Sequence, residues 1–287
     1  MNRNQALRTL AASTGVLISP FSSRSLAAEF KTELKGNINH SACRWCYGQI
    51  SLKKLATFGK EIGVKSIELL EPDEYKTVTD LGLTCAMPNG SMIGIPYGFN
   101  HPNHHDRLKK DFLERLPTAA EHGFTKMICF SGNHWKKSHK KGLDYCARGL
   151  EPIVQEATKY NITICMELLN SKVDHVGYQC DHTEWGVKLV DKLGADNFKL
   201  LYDIYHMQVM EGDVIATIRK YNEYIGHYHT GGVPGRNEID KTQELNYPAI
   251  MRAILDTGYK GFVGQEFIPT KAEPLESLKQ GVLICDV

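Results

Sequence analysis

From Leu34 to the C-terminus, short apolar runs alternate with longer stretches in which apolar residues recur every three to four positions. The short runs are bounded by turn residues and predict strands over 36–39, 66–69, 84–87, 126–130, 163–166, 198–202, 225–228 and 262–265. The longer stretches predict amphipathic helices over 52–62, 74–81, 105–122, 143–160, 184–193, 214–221, 247–257 and 275–283. Gly63, Gly82, Gly123, Gly194 and Gly258 follow five of these helices, in the position where helices most readily end. Eight alternating units without a break in composition predict one domain, a (β/α)8 TIM barrel over 29–287. A doubly wound open sheet is the alternative, but no glycine-rich dinucleotide fingerprint follows the first strand.

A barrel places its chemistry at the C-terminal mouths of its strands. Four successive apolar runs end there in a polar residue: Ile-Thr-Ile-Cys-Met-Glu167, Phe-Lys-Leu-Leu-Tyr-Asp203, Ile-Gly-His-Tyr-His229 and Phe-Val-Gly-Gln-Glu266. One such residue alone is more often a satisfied hydrogen-bonding group, whereas four that converge on one axis make a candidate metal site. Three carboxylates and an imidazole form an oxygen-rich set, suited to one divalent ion (Mn, Mg or Co) with open positions for a substrate. Glu167 and Glu266 stand on the fifth and eighth strands, so a small substrate would fit between them. A metal that chelates both oxygens of an α-hydroxy carbonyl compound favours the enediolate, and a neighbouring carboxylate can take and return the carbon-bound proton. Return to the adjacent carbon is an isomerisation, and return to the opposite face is an epimerisation. The residue set allows both.

His206, three residues beyond Asp203, is placed to hydrogen-bond a substrate oxygen, against the simpler reading of a capping histidine. Arg236 follows His229 in the loop Gly231-Gly232-Val233-Pro234-Gly235-Arg236. Its fork can grip a carboxylate, and the glycines would let backbone approach a ligand. His101, His104 and His105 lack the regular facing of a metal-binding helix and read as loop and helix start. Lys136, Lys137, Lys140 and Lys141 read as a solvated loop that could attract an anion. Cys43-Arg-Trp-Cys46 has redox-motif spacing, but it follows a strand instead of opening a thioredoxin-like unit. Structural or pocket-lining use is the expectation.

The chain has 287 residues, 42% of them hydrophobic, enough for one large core. Its formal net charge of +1 provides no global attraction for nucleic acid or an acidic membrane. A small-molecule substrate is the expected partner, and a homo-oligomer stays open by analogy to other barrels. Residues 1–28 look like an export leader: two arginines before an apolar stretch, then Ser25-Leu26-Ala27 and a switch to charge at Glu29. Asn4 stands where a twin-arginine signal would have its second arginine. The expectation is an exported, periplasmic protein, with the cytoplasm as the alternative. The leader's apolar stretch is too short to span a membrane. Of the eight cysteines, Cys129 and Cys165 lie in apolar runs as small buried hydrophobes, so cysteine says little about compartment.

Several motifs together resemble the xylose isomerase-like barrel superfamily and, within it, the hydroxypyruvate isomerase group. They are Asn37-Ile-Asn-His40 with Cys43-Arg-Trp-Cys46, Met166-Glu-Leu-Leu-Asn170, Tyr202-Asp-Ile-Tyr-His206, Gly226-His-Tyr-His229, Val233-Pro-Gly-Arg-Asn-Glu238 and Gly264-Gln-Glu266. The resemblance runs from about Leu34 to the C-terminus. It implies a divalent metal held by Glu167, Asp203, His229 and Glu266, with the two glutamates as proton donor and acceptor. It also implies interconversion of hydroxypyruvate and tartronate semialdehyde, or of close relatives. His229 departs from the group, which often carries glutamine there, and matches the His-x-His-Thr-Gly context of ketose 3-epimerases in the same superfamily. Apurinic-site endonucleases of the superfamily need an Asp-x-His pair after the seventh strand and histidines at earlier strand exits, which this chain lacks. A barrel that binds a sugar or sugar acid without turnover is the outside alternative, against which the intact glutamate pair speaks.

Overall fold

The computed structural model describes residues 33–287, so the leader expected over 1–28 lies outside the described residues. Seven strands form one parallel sheet: β1 (Asn39–Cys43), β2 (Ser66–Glu68), β3 (Lys126–Cys129), β4 (Thr163–Leu168), β5 (Phe198–Asp203), β6 (Ile225–Thr230) and β7 (Phe262–Gln265), in the order β2-β1-β7-β6-β5-β4-β3. Around them run α1 (Leu52–Glu61), α2 (Tyr75–Thr79), α3 (His105–Glu121), α4 (His139–Thr158), α5 (Thr183–Leu193), α6 (Ile204–Met210), α7 (Val214–Tyr221), α8 (Tyr247–Asp256) and α9 (Pro274–Cys285). This is a TIM-barrel-like α/β fold. No helix among the described residues is long and apolar enough to cross a membrane.

The strand expected over 84–87 does not form. The segment 84–89 nevertheless fills the gap between β2 and β3: Ile67 N donates to Thr84 O, Leu69 N to Met87 O, and Ile128 N to Pro88 O. Two local features break its ladder. Pro88 has no N–H to give, and Ala86 N donates to the Ser66 hydroxyl at 2.8 Å instead of to a neighbouring strand. The first strand begins at Asn39 and not at residue 36, because Gly36 still turns the chain at φ 78°. Its buried residues include the polar His40 and Ser41, which an apolar count does not mark as strand.

Two helix starts also differ from expectation. The Ser138 hydroxyl accepts from Lys141 N at 3.3 Å, so α4 begins at His139, and Lys140 and Lys141 sit in its first turn instead of a loop. Asp203 accepts from His206 N at 3.0 Å and starts α6, a short helix that the apolar pattern did not predict. All five helix-ending glycines have positive φ, as expected. The barrel interior holds a small apolar cluster of Met87, Ile128, Cys165 and Leu201, separate from the larger core between strands and helices. The eight cysteines are free, and Cys129 and Cys165 are buried.

Candidate metal and proton-transfer site

The register of the parallel ladder assembles the polar strand ends. Asp203 on β5 lies opposite His229 on β6, and His229 lies opposite Gly264 on β7, two residues before Glu266. Glu167, Asp203, His229 and Glu266 each present one ligand atom, and these atoms lie within 4.8 Å of one another. All four residues are buried. His229 Nδ1 is 3.0 Å from Glu266 Oε2 and 3.3 Å from Glu167 Oε1. Arg236 Nη2 donates to Glu266 Oε2 at 2.6 Å and to Asp203 Oδ2 at 3.4 Å. Trp45 Nε1 donates to Glu266 Oε1 at 2.7 Å, and the Arg236 guanidinium stacks 5.0 Å from the Trp45 ring.

These residues fit a divalent cation. The donor set is mostly hard oxygen, and Glu167 Oε1 is buried without a hydrogen-bond partner, a lone pair the fold leaves unused. The electrostatics of the two glutamates differ. Burial and the charge of Glu266 push the Glu167 carboxyl up. Burial would do the same to Glu266, but Arg236 and His229 overcome it and hold that carboxyl well below the usual range. Burial raises the Asp203 carboxyl well above its ordinary value, with Arg236 only partly opposing.

His206 is fully buried in the first turn of α6. The Asn170 side-chain oxygen accepts from Val173 N and Asp174 N, which fixes the amide so that Nδ2 donates to His206 Nδ1 at 2.7 Å. His206 therefore carries its proton on Nε2. That nitrogen has no hydrogen-bond partner and lies 3.8 Å from Asp203 Oδ2. Burial, then the charge of Arg236, hold the ring neutral.

Arg236, expected to grip a substrate carboxylate, lies beside the cluster and grips the protein's own carboxylates. The glycines before it serve the loop instead of a ligand: a Cβ at Gly232 would overlap the Glu238 carbonyl. The Tyr247 hydroxyl clamps this loop, accepting from Gly231 N and donating to Gly231 O, both at 2.7 Å. His101, His104 and His105 stay out of the site and bond backbone groups of Asn103, Gly98 and Phe99, in the segment leading into α3. Cys43 packs 3.8 Å from His229 Nε2.

A cavity of about 660 Å³ opens over the cluster, lined by Glu167, Glu266 and Arg236 on one side and by Met92, Ile95 and Phe130 on another. Trp45, Asp174 and His175 also line it, and sequence reasoning missed all three as site residues. Trp45 lay in plain view in the Cys-Arg-Trp-Cys segment. Asp174 and His175 sit in an irregular loop with no periodicity to mark them.

A family model described as the xylose isomerase-like TIM barrel matches residues 57–283. The chain belongs to that family. Among curated relatives, the hydroxypyruvate isomerase of Escherichia coli (strain K12) is 37% identical over 175 residues, 58% of this chain and 65% of the relative. The 2-oxo-tetronate isomerase of Cupriavidus necator is 35% identical over 113 residues, 39% of this chain and 43% of the relative. The alignments span between 40% and 43% of the length of several curated relatives. Among solved structures, a family 2 AP endonuclease from Brucella melitensis aligns with a TM-score of 0.76 at 22% identity, over 84% of this chain and 97% of that one. D-psicose 3-epimerase with D-tagatose from Clostridium cellulolyticum H10 aligns with a TM-score of 0.69 at 17% identity, over 87% of this chain and 100% of that one. At these identities the structures speak for the fold alone.

Proposed function

We propose that the protein is a metal-dependent isomerase of a small α-hydroxy carbonyl compound, acting through an enediolate, with hydroxypyruvate and tartronate semialdehyde as the substrate pair. The observation that carries this reading is the pairing of Glu167 and Glu266, oppositely shifted, beside Asp203 and His229 in one cavity. Two carboxyl groups pushed apart in this way suit a donor and an acceptor. Glu266, held ionised by Arg236 and His229, is the acceptor, and Glu167 returns the proton. His206, with its proton on Nε2, and Arg236 orient the substrate oxygens. One divalent ion (Mn, Mg or Co), held by Glu167, Asp203, His229 and Glu266, supplies polarisation of those oxygens when bound. The relatives named hydroxypyruvate isomerase and 2-oxo-tetronate isomerase support the choice of substrate.

A second reading, ketose 3-epimerase, is favoured by two observations. The cavity of about 660 Å³ has room for more than a three-carbon acid. His229 also sits in the His-x-His-Thr-Gly context. The leader over 1–28, the barrel boundary at 29 and export of the barrel are proposed on the sequence pattern alone.

The deciding experiment follows metal-loaded protein by proton NMR in heavy water, with hydroxypyruvate and a panel of ketoses. Solvent deuterium entering product during conversion of hydroxypyruvate, abolished by chelation, is the expected result. Deuterium at carbon three of a ketose selects the epimerase. Metal-independent turnover, or binding without exchange on any candidate, overturns the isomerase reading.

A further inference from the structure

The two ring nitrogens of His229 face opposite ways. Nδ1 lies in the ligand cluster, 3.0 Å from Glu266 Oε2. Nε2 points down into the barrel, 3.7 Å from Glu68 Oε1 and 3.8 Å from Cys43 Sγ. A ring nitrogen binds a metal through its lone pair, so Nδ1 can be a ligand only while the proton stays on Nε2. Glu68 ends β2, is 0% exposed, and does not line the cavity. Its other oxygen lies 2.7 Å from His227 Nε2. Glu68 therefore faces both rings from the side away from the cavity. The fold also makes room for this carboxylate, because a Cβ at Gly264 would overlap Glu68 Oε1.

We propose that Glu68 is a positioning residue for the metal centre: its carboxylate keeps the proton of His229 on Nε2 and so leaves Nδ1 free for a divalent cation. This rests on the reading of His229 as a metal ligand. It assigns a task to a buried acid that touches neither substrate nor cavity, and it explains the glycine in Gly264-Gln-Glu266.

The test compares wild type, Glu68→Gln and Gly264→Ala by two readouts that need no substrate. One is nitrogen-15 NMR of the His229 ring in metal-free protein at the alkaline end of its titration. The other is calorimetric titration with Mn. The Gln amide can present its NH2 to Nε2 and drive the proton to Nδ1. The expected result is a shift of the His229 tautomer with a 10- to 100-fold loss of Mn affinity, on the order seen when such outer partners of metal ligands are removed. Glu68→Asp, which keeps the charge, should recover part of the loss. Gly264→Ala displaces the carboxylate with Glu68 intact, but its methyl also meets the His229 ring at Cδ2, so this variant is read by the tautomer and not by affinity; a shifted tautomer there covers the case in which Glu68→Gln fails to fold. An unchanged tautomer and affinity in the folded variants overturns the proposal. So does binding of two ions per wild-type chain, which would put a cation among Cys43, Glu68 and His229 in place of the proton. If the wild type binds no Mn, Mg or Co, the proposed metal-dependent function fails, and the tautomer in Glu68→Gln still decides whether Glu68 holds that proton.

Discussion

At the scale of single residues, the glutamate pair makes the sharpest claim. Glu266→Gln keeps the hydrogen bond from Trp45 but cannot accept a proton. Deuterium exchange into substrate should fall by about 10²- to 10⁴-fold while calorimetry still detects substrate binding. Normal exchange would exclude Glu266 from the proton relay. His40, which is not one of the four candidate ligands, offers a pH test. Burial takes it from 6.5 to about 4, against the opposing pull of Asp286, so the folded state holds it neutral. The unfolded chain then binds a proton that the folded chain refuses. This contribution to stability is complete above about 6.5 and is lost as pH falls toward 4, at roughly 1.4 kcal/mol per pH unit. Wild type should lose stability relative to His40→Gln as denaturation is moved from pH 7 to pH 5. A constant gap would mean that His40 is not held neutral. The convergence of the four strand-end candidates was legible because each terminates an apolar run. Glu68 was not, because Leu69 and Leu70 follow it and it reads as an interruption.

At the scale of elements, function and local structure share residues. Asp203 is both a candidate ligand and the cap of α6. Asp203→Asn keeps an acceptor for His206 N but removes the charge. Helix content in circular dichroism should hold, while Mn affinity falls by more than about a hundredfold, beyond the loss typical of an outer partner. The loop that carries Arg236 depends on Tyr247, whose hydroxyl satisfies both backbone groups of Gly231. Tyr247→Phe leaves buried backbone groups unpaired and should cost about 1–3 kcal/mol in urea denaturation. It should slow turnover more than it weakens metal binding, since Tyr247 touches none of the four ligands. Helix positions were mostly readable from apolar spacing and terminal glycines. The exceptions, α6 and the start of α4, are set by single side-chain caps, which leave no periodic trace.

At the scale of the whole molecule, the alternation of runs was enough to predict the barrel, and the register of β4 to β7 then brought the four candidate ligands together. The cavity's contents were less legible, because Trp45, Asp174 and His175 come from loops whose path depends on tertiary packing. Below the site, the interior rests on few apolar side chains. Leu201→Ala should lower stability by about 2–5 kcal/mol, measured by denaturant unfolding. The segment 84–89 meets β3 through one bridge, at Asn89 and Ile128, whereas β4 and β5, between which the Ile164 amide is bonded, share five register pairs. The cylinder therefore has a line along which it can breathe, and deuterons should reach the Ile128 amide before that of Ile164. That line borders Asn89 and Met92 on the cavity wall. A substrate too large for the resting mouth would meet least resistance there.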